Sequence, residues 1–424
     1  MSIPTRVDRV ETWPDPTPFT VADSRPTPGV VSLVAVLTAV GLVAVNVDLG
    51  TLGLPGAIPL SSLTWLVIAG TWFVVTSLAL GVSPSVPVRA DGATPWFALL
   101  AALAVASTAW SVHPARTLAA AVTASMVFVG AHVATRWLGW TQIVRIASLS
   151  LAAFLAIGIV RDVVLDSLLA DGASIATGES RFAGISFSPT DLGRISTFAV
   201  VLSALAALAH SGRMRWVHGG GAVIGAVALA TSGTRLVVLA LLLVGAYAAV
   251  RRRTPSSILV GLLAVVAVLV VALAPTQVAE SVARPGEPTS HVFEFAGRTP
   301  VWDSALEFAS DRPVWGHGWA ANDVVFAEAF RRDLIGFDAF NAHNLLLGVV
   351  IDLGAVGATV LILGLVALWR STGQTPGARL VVLLVLLTGT IEATMSRPSL
   401  TIALLGATSA AAMQATPSRG ASHG

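Results

Sequence analysis

The sequence predicts an all-α membrane protein: a bundle of about twelve transmembrane helices with an extracytoplasmic loop domain of short amphipathic helices. Composition is the first reason. Of 424 residues, 55% are hydrophobic and 11% charged, whereas a soluble domain carries about 25% charged residues. A mean hydropathy of +0.81 with so little charge requires much of the surface to face something other than water. The second reason is that apolar runs approaching the ~20 residues that cross a hydrocarbon core recur along the chain. The third is that arginines gather on alternate sides of those runs.

Taken in order, residues 1–29 are polar and hold Pro4, Pro14, Pro16, Pro18, Pro26 and Pro28. A signal peptide would run from basic to apolar, so this segment is expected to be a disordered cytoplasmic tail. Apolar runs follow near 30–47, 61–82, 94–111, 116–135, 142–160, 190–210, 218–232, 235–250 and 257–274. Residues 30–274 are thus expected to form transmembrane helices one to nine, with an outer loop at 161–189. Thr231-Ser232-Gly233-Thr234-Arg235 interrupts the stretch 218–250, which reads as two helices and a tight turn, since one long helix would bury an arginine. Gly219-Gly220-Gly221 is expected to let helices pack closely. Residues 275–344 form a large extracytoplasmic loop in which 300–310 and 323–333 have helical composition. Runs at 345–369, 378–395 and 398–414 supply helices ten to twelve within 345–414, and 415–424 is a cytoplasmic C-terminal tail.

With the N-terminus inside, fourteen arginines fall on cytoplasmic segments, against Arg116, Arg235 and Arg397 in the short outer connections. Both termini are therefore expected in the cytoplasm. The long loops rich in ionisable residues are then expected to face outward, which puts the working surface on the extracytoplasmic face of the membrane. All 25 basic residues are arginine, so the pI of about 10.2 reflects arginine's high pKa; the net charge is only +2 and gives no reason to expect nucleic acid as a partner. The absence of cysteine excludes disulfides, thiolate metal sites and cysteine nucleophiles.

No Walker loop, dinucleotide fingerprint or His-Glu-x-x-His motif occurs. His291 and Glu294 have metal-ligand spacing but no second such pair, and the first outer loop holds only Asp48, so neither a metal nor another cofactor is expected. Three segments carry chemistry. Arg235 lies in a short outer turn, either snorkelling to the interface or binding an anion at a helix N-terminus, where free N–H groups and the dipole add attraction. Arg298, in Gly297-Arg298-Thr299-Pro300-Val301-Trp302, stands at a helix start, with Trp302 suited to the interface; it could equally pair with a loop carboxylate. His343, in Asn341-Ala342-His343-Asn344, lies where the long loop re-enters the membrane. Histidine is the side-chain type best suited to general-base work near neutrality, while a capping or interfacial role is the other reading. Trp110-Ser111-Val112-His113-Pro114 and Arg181-Phe182-Ala183-Gly184-Ile185-Ser186-Phe187-Ser188-Pro189 read as turns with interfacial aromatics.

In this order the segments resemble the O-antigen ligase/polymerase family of bacterial membrane glycosyltransferases. The strongest stretch runs from Gly297-Arg298 through Asp311-Arg312-Pro313-Val314-Trp315-Gly316-His317-Gly318 to Ala342-His343-Asn344 and Asp352-Leu353-Gly354-Ala355-Val356-Gly357. Ser232-Gly233-Thr234-Arg235 matches the family's Ser/Arg turn ahead of an apolar helix and a basic run, here Arg251-Arg252-Arg253. The resemblance spans about 95–410; Thr190-Asp191 depart from it where the family often has Asn. It implies a metal-independent, inverting glycosyltransferase of the GT-C type, acting on an undecaprenyl diphosphate-linked glycan and a glycan or envelope acceptor at the bilayer surface. Arg235 and Arg298 would bind the donor diphosphate and His343 would deprotonate the acceptor hydroxyl. Arg181, Arg312, Arg397, Asn344 and Trp302 would contact substrate. The family includes ligases and polymerases. A Lys-free, Ala/Val/Arg-rich chain hints at a high-GC genome, and in a host without lipopolysaccharide a polysaccharide polymerase is the preferred expectation. The alternatives are ligation to another envelope acceptor, oligosaccharide transfer to protein, or, in a different class, a lipid-linked polysaccharide flippase or transporter. A transporter should carry ionisable residues at mid-membrane.

Overall fold

The computed structural model describes residues 28–47, 60–82, 92–168, 185–186, 188–252, 298–332, 341–390, 395 and 399–414. The expected ninth helix at 257–274, both tails, and Arg181 and Arg397 lie outside the described residues. Among those described, every regular element is helical: α1 (Pro28–Ala44), α2 (Leu60–Val82), α3 (Thr94–Ala106), α4 (Pro114–Leu138), α5 (Trp140–Leu168), α6 (Pro189–Ala209), α7 (Gly212–Ser232), α8 (Arg235–Arg252), α9 (Arg298–Asp311), α10 (Asn322–Arg331), α11 (Leu345–Ser371), α12 (Pro376–Gly389) and α13 (Leu400–Gln414). Four of them, in α4, α5, α6 and α11, are long and apolar enough to cross a membrane. Helices α1, α2, α3, α12 and α13 contribute shorter apolar stretches. Large apolar side chains such as Phe73, Ile157, Val160, Val223 and Leu242 point outward from the bundle, as a surface facing hydrocarbon requires.

Small residues set the packing. Trp72 of α2 is wholly buried between α1 and α4 because Gly41 and Gly130 leave room for its indole. A Cβ at Gly406 of α13 would strike the Phe128 carbonyl of α4, so these two backbones cross in direct contact. The triple glycine behaves less uniformly than expected. Gly221 faces Ser203 of α6, but Gly219 and Gly220 face open space, and Gly225 supplies the second close approach of α7 to α6.

The turn expected within 218–250 is present: Gly233, at φ 61°, ends α7, and Arg235 opens α8. Helices α9 and α10 overlap the two segments of helical composition in the long loop, 300–310 and 323–333, with bounds that differ by one or two residues. They pack Val301, Ala305, Ala309, Phe326 and Ala329 against Ala342 and Ile351. One expectation needs correcting: 345–369 is not an uninterrupted helix. It breaks at Gly354, with φ 65° and ψ −163°, a conformation open essentially to glycine alone.

Candidate active site

The break in α11 exposes backbone groups that a loop then satisfies. Ala355 N–H donates to Pro313 O at 2.8 Å and Val356 N–H to Val314 O at 3.3 Å. In the other direction His317 N–H donates to Ile351 O and Gly318 N–H to Asp352 O, both at 2.8 Å. The segment 313–318 thus lies in the break like a short strand, meeting the requirement that buried peptide groups be paired. Its glycines follow from that closeness. A Cβ on Gly354 would overlap the Val314 carbonyl, and one on Gly316, at φ 66°, would meet the backbone of Asp352 at 2.5 Å. His317 donates from Nε2 to Phe308 O at 2.9 Å, tying the loop to α9.

Asp352, fully buried, gathers the next segment. Its Oδ2 accepts from Ala320 N–H at 3.1 Å and its Oδ1 from Asn322 N–H at 2.8 Å. Asn322 Oδ1 accepts from Ala342 N–H at 3.2 Å. Next comes His343, half-buried and at φ 44°, a rare left-handed conformation for a residue with a Cβ. Asn341 Oδ1 accepts from the His343 N–H at 2.7 Å. Asn344 caps α11, its Oδ1 accepting from Leu346 N–H at 3.0 Å and Leu347 N–H at 3.1 Å. The capping role considered for His343 therefore belongs to Asn344.

The arginines gather at the same end of the bundle. Arg298 is buried at the start of α9, and Val301, one turn on, joins the cluster that contains Ala342 beside His343. Arg235 is half-buried at the start of α8. The preceding Thr234 donates from its hydroxyl to Pro189 O at 3.1 Å, and Gly193 of α6 leaves room for its side chain. Buried Arg194 of α6 donates to Asp191 Oδ1 at 2.8 Å and to Thr401 Oγ1 at 3.1 Å, which joins the starts of α6 and α13. Asp191, where the sequence departs from the family pattern, is thus the counter-ion of Arg194. Asn344 Nδ2 reaches Thr390 O at 3.5 Å, so the starts of α11 and α13 and the end of α12 lie at this end too.

Arg312 is exposed and donates from Nη1 to Trp110 O at 3.1 Å, while Trp110 Nε1 donates to Trp315 O at 3.0 Å. The two indoles meet edge to face, centroids 5.8 Å apart, and with Pro313, Val314 and Gly316 they line an open cavity of about 470 Å³. Trp302 is half-buried on α9. Arg116 bonds Asp323 of α10 at 2.7 Å. Among the described residues no group of three His, Asp or Glu side chains is arranged to hold a metal ion. Sequence reasoning quoted Asp352 without giving it a role and passed over Asn322. The available signal was a carboxylate inside the apolar run 345–369, which needs a partner.

Residues 220–362, from α7 through the Gly354 break, match the family model described as O-antigen ligase (Wzy_C). This chain carries an O-antigen ligase domain. The matched region contains Arg235, Arg298, Asn322, His343 and Asp352, so the O-antigen ligase domain and the hydrogen-bonded constellation coincide. No curated protein matches the chain. Family and apolar helices together make this a membrane protein with a role in glycan transfer.

Proposed function

We propose that this protein is a GT-C-type membrane glycosyltransferase that moves a glycan from undecaprenyl diphosphate to an acceptor hydroxyl at the outer face of the bacterial cytoplasmic membrane, and that it acts as a polysaccharide polymerase. The observation that carries the reading is the placement of His343. It is held in a left-handed turn at the head of α11, at the bundle end where α8 opens on Arg235 and α9 on Arg298. In the proposed step the acceptor oxygen attacks the anomeric carbon from the face opposite the diphosphate. The new C–O bond forms as the bond to phosphate breaks, the anomeric centre inverts, and the acceptor proton passes to a ring nitrogen of His343. The bond's electron pair leaves on the diphosphate, where guanidinium groups neutralise it by two-pronged hydrogen bonds without a metal ion. Arg298 supports this role by its burial, since a cation withdrawn from water acts more strongly on a nearby anion.

The test is transfer by the purified, reconstituted protein from an undecaprenyl diphosphate-linked glycan in the presence of EDTA. Wild type should form product, while His343→Ala, Arg298→Ala and Arg235→Ala should each lose at least about 100-fold, in the range seen when one acid–base or charge-stabilising group is removed. A ladder of chain lengths identifies a polymerase, and a single addition identifies a ligase. Translocation of the lipid-linked glycan without any transfer would replace the proposal with a transporter.

A further inference from the structure

We infer that Asn322 and Asp352 are positioning residues that hold the His343 turn in its working conformation, an inference that rests on His343 being the base. Among the described residues, the only non-glycine residues with positive φ are Ala320, at 59°, and His343, at 44°. Both lie on one chain of hydrogen bonds. Asp352 takes the N–H groups of Ala320 and Asn322, and the Asn322 side chain takes the N–H of Ala342, the residue before His343. Strained residues persist only where their surroundings over-determine them, and they concentrate at functional sites. Here the determinants are explicit and come from the break in α11.

Stability alone does not account for Asn322. Its side chain is fully buried and its Nδ2 has no hydrogen-bond partner, which opposes folding. A leucine of similar volume would leave no such orphan donor. What the asparagine supplies is the oxygen that ties the His343 turn to α10 and, through its own N–H, to Asp352. Asn341 and Asn344 bond the turn to itself and to the head of α11, so they shape it locally. The Asn322 bond fixes it relative to the 313–322 loop. A base displaced by an ångström loses on the order of 100-fold in rate, so this bond should act on turnover and leave donor binding alone.

The experiment uses the full chain reconstituted with an undecaprenyl diphosphate-linked glycan donor and compares Asn322→Leu, Asn322→Asp and Asp352→Asn, each also combined with His343→Ala. Asn322→Leu is expected to lower kcat by about 10- to 100-fold, to keep the donor KM within about twofold, and to leave the thermal midpoint in detergent equal or higher. Asn322→Asp, which keeps an acceptor oxygen, should recover most of the rate. In the His343→Ala background Asn322→Leu should cause no further loss, because its effect runs through the missing ring. An unchanged kcat in Asn322→Leu, or an equal loss with and without His343, would overturn the proposal. If Asn322→Leu fails to fold, Asp352→Asn with wild-type KM and lowered kcat supports it, and Asp352→Asn with wild-type kcat refutes it. Full activity in His343→Ala would instead remove the base itself, an outcome separate from failure of the positioning role.

Discussion

A side chain at Gly354 would meet two obstacles at once. Its backbone sits where L-residues are disfavoured, and the added carbon would overlap the Val314 carbonyl in the loop that fills the break. Gly354→Ala is therefore expected to destabilise the protein by at least about 1–3 kcal/mol, the cost of one such strained residue, and to expel 313–318 from the break. Thermal unfolding in detergent and limited proteolysis at 312–320 would show it; a wild-type midpoint with an intact loop would disprove the steric account. Gly219 offers an internal control. Its virtual Cβ meets nothing, so Gly219→Ala should be neutral or slightly stabilising, as alanine's helix propensity over glycine dictates. The triplet of glycines reads as uniform in sequence, yet only its third member touches a neighbour. Residue identity cannot tell which side of a helix faces a partner when both sides are apolar.

At the scale of elements, the contacts that anchor α10 include Phe326 and Ala329 in the small core under α9, the Asn322 bonds to Asp352 and Ala342, and the ion pair of Arg116 with Asp323. The Arg116 side chain is 41% exposed and that of Asp323 only 9%. Removing the arginine therefore takes one ion-pair partner from a nearly buried carboxylate, while most of the guanidinium's own attraction is already screened by solvent. Arg116→Ala should loosen α10 by about 1 kcal/mol, a roughly fivefold change in opening equilibrium. Amide hydrogen exchange should accelerate across Asn322–Arg331 and stay unchanged in α11 beyond Gly354; uniform acceleration, or none, would contradict a local anchor. Much of this level was legible in advance. The turn at Ser232–Arg235, the two short loop helices and most helical runs follow from hydropathy and breaker residues. The break in α11 was hidden because 345–369 is apolar on all sides, so no periodicity marks an interruption. Asp352 was the one residue in that run whose chemistry demanded something beyond a smooth helix. Its partners, Ala320 and Asn322, are about 30 residues away in sequence and could be found only by folding.

At the scale of the whole molecule, the two ends of the bundle differ in kind. One end collects the starts of α6, α8, α11 and α13 with α9, α10 and the His343 turn. The other carries arginines set against aromatics: Arg379 lies 5.0 Å over Trp369, Arg251 lies 5.9 Å over Tyr247, and the rings of Tyr247 and Trp369 stand 5.9 Å apart. Aromatics mark either membrane interface, and it is the excess of arginine that favours the cytoplasmic side. On the proposed function, the end bearing Arg298 and His343 is the one expected to face outward, towards the donor. The chain's lack of cysteine makes this directly testable, since any introduced thiol is unique. Ser310, exposed at the end of α9, and Ser211, exposed in the connection between α6 and α7, lie on opposite sides in this topology. Ser310→Cys should react with a membrane-impermeant maleimide in intact cells, and Ser211→Cys only after permeabilisation. Neither change touches the hydrogen bonds around Asp352, so both variants should keep wild-type activity and report on a native molecule. Labelling in the reverse order would invert the protein, put His343 in the cytoplasm and require a donor presented on that side. Equal labelling of both in intact cells would mean that the two ends are not separated by a membrane, and the bundle would have to be reconsidered as something other than a spanning one.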